Sequence, residues 1–181
     1  MADKSHIEVL DQGVSDWNAW RELESEIRPD LSEMDFTGRN LDGINLTGAN
    51  LTNCYFTVCE MDQAVLDDAD LTGANLTGTD LSSASLLRTT LLGVDLSYAT
   101  LTKANLSEAN MSGTRLVETI LFNATLRDVN LRDAYLKRTI LTGADLSGSD
   151  MEGARIQNAI LEGAILHINI PLQKGDQGES Q

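Results

Sequence analysis

The chain has 181 residues, 41% of them apolar and only 4% aromatic, and a formal net charge of −15. That suffices for one domain with an aliphatic core. The acidity argues against direct contact with nucleic acid or an anionic membrane surface, and suits solubility, a basic partner or mimicry of a polyanion. Residues 1–14 lack a continuous apolar stretch, no run approaches the ~20 apolar residues of a spanning helix, and Cys54 and Cys59 are the only cysteines. Neither a signal peptide, a transmembrane segment nor a disulfide framework is expected, and a cytoplasmic location is the default.

Residues 1–14 read as a flexible N-terminal tail. Over 15–28 an amphipathic capping helix is expected. Ser15 and Asp16 suit a helix start, Trp17, Trp20, Leu23 and Ile27 recur at helical spacing, and Pro29 stops continuation.

From Leu31 to Leu166 every fifth residue is Leu, Phe, Met or Ile, 28 positions without an insertion. Two residues before each of these centres stands a second series, mostly small: Ala49, Cys54, Cys59, Ala64, Ala69, Ala74 and on to Ala164. Between the two lies, often, Asn or Asp, as at Asn45, Asp70 and Asn105. A period of five fits neither regular element. On an α-helix successive centres would rotate by ~140° and share no face, and on a continuous strand alternate centres would point to opposite sides. The pattern works if the chain turns a corner every five residues. The small residue and the centre, two apart, then both point inward, and the residue between them and the two after the centre point outward. Eleven of the 14 glycines fall two residues after a centre, where a turn needs φ > 0. Coils stacked as parallel strands at ~4.8 Å, seven of them if each takes four centres, make a rod roughly 34 Å long. An open solenoid end needs covering. In the first coil the inward small positions are unusually large (Met34, Arg39, Ile44), as suits contact with the tryptophans. Arg39 is expected to reach solvent or a helix carboxylate.

The stretches ADLTGANLTGTDLSSASL (69–86) and ANLSEANMSGTRL (104–116) resemble the pentapeptide-repeat consensus A(D/N)LXX. The likeness covers about three-quarters of the chain, and the segment WNAWRELESEIRPDLS resembles the leader that precedes many cyanobacterial and other bacterial repeats. The resemblance implies an all-β solenoid: a right-handed quadrilateral parallel β-helix of about seven coils over 29–168 with an N-terminal capping α-helix. It also implies a non-enzymatic role. Some pentapeptide-repeat proteins that protect DNA gyrase or topoisomerase IV dimerise through their C-terminal end and present an acidic rod, which makes a DNA mimic the alternative to a protein-binding scaffold.

Residues 169–181 read as cap residues and a flexible tail. Ile165, Ile168, Ile170 and Leu172 are expected to fold under the last coil or to meet a second copy. Cys54 and Cys59 read as buried free thiols, and His6 and His167 lack the partner set of a metal site. No nucleophile elbow, phosphate loop or dinucleotide fingerprint is present, and outward carboxylates such as Asp67 and Asp68 lie on a convex surface with nothing to desolvate them. No catalytic, cofactor or metal residue is expected.

The outward columns, whose members stand 20 residues apart, carry more. One runs Asn40, Glu60, Asp80, Thr100, Ile120, Ile140, Ile160 and changes from acidic to aliphatic along the rod. Asp42 and Asp62 extend its acidic end into a candidate acidic face with Glu60 and Asp80. Phe122 joins its apolar end, and Ile120, Phe122, Ile140, Ile160 and Ile165 form the candidate protein interface, for a homodimer through the C-terminal coils or an unknown partner. The other reading of the isoleucines is a β-branched ladder tolerated for strand stability. A further column, Arg115, Tyr135, Arg155, suggests arginine–aromatic stacking between coils. Residues 31–100 hold ten acids and two bases, residues 101–170 eight acids and seven bases.

Overall fold

The computed structural model describes residues 2–166, which form two short helices and then a solenoid. Helix α1 spans Lys4–Leu10 and α2 spans Val14–Leu23. The Asp3 carboxylate accepts the Ser5 N–H at 2.8 Å, satisfying one of the donors a helix start leaves unpaired. Gly13, at φ 117, separates the helices.

Two expectations for this leader are overturned. The segment 1–14 is not a flexible tail but holds α1, because Leu10 is buried and Ile7 and Val9 pack on the same core. Asp3 N–H donates to Asp30 O at 2.9 Å, and Asp30 N–H to His6 Nδ1 at 3.1 Å, tying α1 to the first coil. The helix expected over 15–28 ends at Leu23, and Leu23 and Ile27 face outward, 83% and 38% exposed. Arg21 is the physical reason. It lies four residues after the fully buried Trp17, on the same helix face, and is itself buried. Its guanidinium donates to the carbonyls of Glu24, Ile27 and Thr47. The chain after Leu23 therefore folds around a cation instead of adding a helical turn. Trp17 Nε1–H donates to Asn45 O at 2.7 Å, and Asn18 brackets the same corner through Gly43 O and Asn45 N–H. Ile44 is fully buried, Met34 partly so. Arg39 turns out to Asp11 at 3.2 Å, its guanidinium 5.6 Å from the Phe36 ring.

From residue 30 the chain makes parallel bridges between residues 20 apart, repeated every five: Asp30↔Asn50, Asp35↔Tyr55, Asn40↔Glu60, Asn45↔Val65, and on to Asp145↔Ile165. One coil thus takes 20 residues and has four sides, numbered here one to four from the centres Leu31, Phe36, Leu41 and Leu46. Among the described residues the pairing widens into three-residue strands only on side two, where β1 (Tyr135–Lys137) pairs with β2 (Arg155–Gln157).

Each corner places the second residue after a centre at positive φ. Glycine fills eleven such positions, and sixteen other residues adopt the same conformation, from Glu33 (φ 63) to Asn158 (φ 54). Where an outward Asn or Asp precedes the centre it braces the turn, its Oδ1 accepting the N–H two residues on, as Asp35 does from Thr37 (2.9 Å) and Asn75 from Thr77 (2.9 Å). Every centre from Leu31 to Leu146 is at most 4% exposed, while Ile156, Leu161 and Leu166 are only partly buried. Where the small inward residue carries a donor, it reaches a main-chain carbonyl, 23 residues earlier for Cys54 Sγ to Leu31 O, Thr79 Oγ1 to Phe56 O and Thr119 Oγ1 to Leu96 O, and three residues earlier for Thr114 and Ser149. These polar groups are buried without being orphaned.

Candidate interaction faces

Side three carries the column that changes character. Its bridges join Asn40, Glu60, Asp80, Thr100, Ile120, Ile140 and Ile160 one coil apart. At the acidic end Asn40 Nδ2 donates to Glu60 Oε2 at 2.5 Å and to Asp42 Oδ2 at 3.2 Å, and Asp62 N–H donates to Asp42 Oδ1 at 2.8 Å. Asp80 Oδ1 accepts from Ser82 N–H and Oγ. The structure therefore gathers Asp42, Glu60, Asp62 and Asp80 on one side. Part of their acceptor capacity is used within the rod; Asp42, Glu60 and Asp80 remain exposed and Asp62 is half-buried.

At the other end Ile120 and Ile140 are half-buried and Ile160 is 49% exposed, with Phe122 beside the ladder at 41%. Ile165 is not a rung of that ladder. It lies around the next corner on side four, bridged to Asp145, and is 45% exposed. The interface residues expected from the sequence thus form a strip on side three with one member on the neighbouring side. Ile168, Ile170, Leu172 and His167 lie outside the described residues.

Side two holds all three tyrosines, Tyr55, Tyr98 and Tyr135, in or beside the bridged column. The spacing places Tyr55, Val58 and Tyr98 outward, and they are exposed, although they were not singled out as a group from the sequence. Toward the later coils the same side carries Arg115, Lys137, Arg138 and Arg155. The Arg115 guanidinium sits 5.9 Å from the Tyr135 ring centre, and Tyr135 Oη donates to Gln157 Oε1 at 3.0 Å. A cavity of about 340 Å³ opens here, lined by Arg115, Asp133, Tyr135, Gly153, Arg155 and Gln157.

Cys54 and Cys59 are buried and unpaired, and burial pushes the Cys54 thiol up to about 11. That leaves it protonated and unreactive at neutral pH. His6 packs 5.4 Å from the Trp20 ring and accepts the Asp30 N–H. Among the described residues no three His, Cys, Asp or Glu side chains cluster as metal ligands, and no helix is long and apolar enough to cross a membrane.

The sequence profile of pentapeptide repeats matches in eight copies over residues 30–65, 59–91, 91–128 and 130–167. No curated protein matches the chain. Among solved structures, a trypsin-treated variant of QnrB1, a plasmid-mediated fluoroquinolone resistance protein, aligns with TM-score 0.66 at 22% identity, over 75% of this chain and 76% of that one. A pentapeptide-repeat protein of the Arabidopsis thaliana thylakoid lumen aligns at 34% identity over 57% of this chain and 69% of its own, with TM-score 0.32. HetL, involved in heterocyst differentiation regulation in the cyanobacterium Nostoc, aligns at 24% identity over 81% and 94%, with TM-score 0.24. The likeness to QnrB1 is one of fold, the right-handed quadrilateral β-helix. With profile matches running from residue 30 to 167 and a bridge every five residues along the same span, the chain belongs to the pentapeptide-repeat family.

Proposed function

We propose that this protein is a non-enzymatic scaffold: a rod of about seven coils, covered at its N-terminal end by α1 and α2, that binds another protein along its outward columns. The observation that carries this reading is the isoleucine ladder. Ile120, Ile140 and Ile160 stack on consecutive coils beside the half-exposed Phe122, while the core they flank is already closed by inward leucines. Strand stability alone does not call for three isoleucines and a phenylalanine on a side whose other half is polar. A contiguous apolar strip on an otherwise charged rod marks a protein contact. The contact to test first is a homodimer through the C-terminal coils. Ile140→Glu places a charge in the middle of the strip and is expected to give a monomer by light scattering. An unchanged assembly rejects that contact.

A second reading, an acidic DNA mimic that binds a topoisomerase such as gyrase, is favoured by the gathering of Asp42, Glu60, Asp62 and Asp80 on one side. The fold likeness to QnrB1, itself a fluoroquinolone resistance protein, points the same way. Magnitudes place it second. Duplex DNA carries one charge per ~1.7 Å, so the ~10 Å spanned by these three coils corresponds to about six charges against four carboxylates. The assay is gyrase supercoiling at low salt. Inhibition, or protection from a quinolone, at micromolar protein supports mimicry, and no effect rejects it.

A further inference from the structure

The rod pairs its arginines by a simple rule. Each has a carboxylate on an adjoining coil, 18 or 20 residues away: Arg88 with Asp68, Arg115 with Asp95, Arg127 with Asp145, Arg132 with Asp150 and Glu152, Arg138 with Glu118. Arg39, in the first coil, pairs instead with Asp11 of the leader, and on side two the rule breaks outright at Arg155, with Lys137 beside it; Lys103, at a corner of side three, likewise has no carboxylate partner among the described residues. The neighbour of Arg155 on the preceding coil is Tyr135, and that of Lys137 on the following coil is Gln157. Two residues along from each, on the adjoining strand, stands the other cation. Among the described residues neither side chain makes an ion pair or a side-chain hydrogen bond. The strands that carry them, β1 and β2, hold the two cations on adjacent coils, where like charges repel. A protein of net charge −15 has carboxylates to spare, so the unpaired cations are a local conflict that the fold does not resolve by itself.

The surroundings suit an anion. Arg115 lies over the Tyr135 ring, and its contact to Asp95 is the long one of the set at 3.4 Å. Tyr135 donates to Gln157 Oε1, so the amide nitrogen of Gln157 stays available as a donor. The cavity between Arg115 and Arg155 has room for a carboxylate or phosphoryl group. Asp133 is the one opposing charge on its wall. It stands at the corner between sides one and two, with its Oδ1 leaning over Gly153.

We propose that Arg115, Tyr135 and Arg155 on the cavity wall, with Lys137 beside it on β1, form a cradle for an oxyanion carried by a protein partner, either a carboxylate-rich or a phosphorylated segment. Arginine supplies the bidentate fork for such groups, and lysine a point charge beside it. The site lies one corner away from the isoleucine ladder and does not depend on it.

The test uses the full chain at low ionic strength with three probes of matched charge: a glutamate-rich peptide, a phosphoserine peptide and single-stranded DNA. Calorimetric binding of one of the peptides, weakened about tenfold or more by Arg155→Glu but unaffected by Arg88→Gln on another corner, supports the cradle, and the stronger peptide identifies the oxyanion. An Arg155→Glu affinity within about twofold of the parent overturns it, as does single-stranded DNA binding as tightly as the better peptide. Thermal unfolding separates a site from a brace. With like charges in conflict, Arg155→Gln is expected to melt at or above the parent temperature. A lower melting temperature makes Arg155 a stabilising residue and overturns the inference. Ile140→Glu is expected to leave peptide binding intact, so failure of the ladder reading and failure of this one are told apart.

Discussion

Leu101 is the most demanding test of the closed core. It lies mid-rod on side three, fully buried, stacked between Leu81 and Leu121, which are equally buried. Replacing it by alanine removes three carbons, worth about 2.4 kcal/mol at ~0.8 kcal/mol per buried methylene. The remaining cost depends on whether the hole collapses. Here it is prevented from doing so. The coil before is pinned by Leu81 N–H to Thr100 O at 2.7 Å and the coil after by Leu101 N–H to Ile120 O at 2.7 Å. The inward neighbours Ala99 and Ala104 have no side chain long enough to swing in. A residual cavity of roughly 80 Å³ at ~24 cal/mol per Å³ adds about 2 kcal/mol, so Leu101→Ala is expected to cost about 4–5 kcal/mol. Leu161 occupies the same side three coils later and is only partly buried. Its truncation leaves an open notch rather than a cavity, and about 1–2 kcal/mol is expected. Urea unfolding followed by far-ultraviolet circular dichroism, with tryptophan fluorescence at the N-terminal end as a second probe, measures both and tests whether the transition is two-state. A cost for Leu101→Ala below about 1 kcal/mol, or one no larger than that of Leu161→Ala, refutes a tightly packed interior fixed from both sides.

Two further outcomes follow from the corners and their carboxylates. Gly38 and Gly148 both sit at positive φ, but a methyl group at Gly38 meets nothing within 4 Å, whereas at Gly148 it lands on the Asp128 Oδ1 of the preceding coil. Gly38→Ala is expected to cost about 1 kcal/mol of left-handed strain and Gly148→Ala measurably more, with the excess removed in the Asp128→Ala, Gly148→Ala double variant. A denaturation cycle checks this, and strictly additive costs contradict it. Asp145 accepts from Ser147 and lies against Arg127, which together hold its carboxyl down at about 2 against an ordinary value of 3.8. A depressed carboxyl stabilises the fold above its unfolded value and loses that contribution as pH falls through its folded one. The stability gap between the parent and Asp145→Asn is therefore expected to be constant near neutrality and to shrink as pH falls from about 4 toward about 2 in a thermal-melt series. A gap that does not change over that window contradicts the assignment.

The interior of this protein is legible from spacing because each five-residue unit repeats the same decision. Leu71, Leu96 and Leu101 face inward for one reason, the two-residue separation from a small inward partner, and all are fully buried. The same logic located the acid-to-isoleucine column, which the bridges join rung by rung. Three things were not legible. The role of the outward Asn and Asp, bracing the turn two residues on, is a backbone effect that periodicity does not reveal. Glycine marked only part of the corners, because Asn53, Asp128 and Glu108 accept the left-handed conformation when the coils on both sides impose it. The leader misled most. Helical spacing put Leu23 and Ile27 with the tryptophans, yet Arg21 won the buried position because three main-chain carbonyls were there to receive its guanidinium. A repeat constrains its own members, whereas a unique terminal segment is shaped by tertiary partners that no internal comparison displays.

On a rod of this kind the inward pair and the corner residue are committed to the fold, so freedom to recognise something is confined to the other outward positions, including the one before the centre wherever no Asn or Asp braces the turn. In the last three coils two neighbouring sides use that freedom at once. Side three replaces polar residues with Ile120, Ile140 and Ile160, while side two leaves Lys137 and Arg155 without carboxylates. The two sides meet at a corner only two residues wide, at Lys137 and Arg138. A partner that covers the isoleucine strip therefore passes beside the cations, and an acidic margin on an apolar contact surface satisfies both, as the polar rim of an interface surrounds its apolar centre. If one partner occupies both sides, Ile140→Glu and Arg155→Glu each weaken it, and a double-mutant cycle on that complex shows coupling. If the cradle serves a separate ligand, each substitution affects its own binding event and leaves the other unchanged.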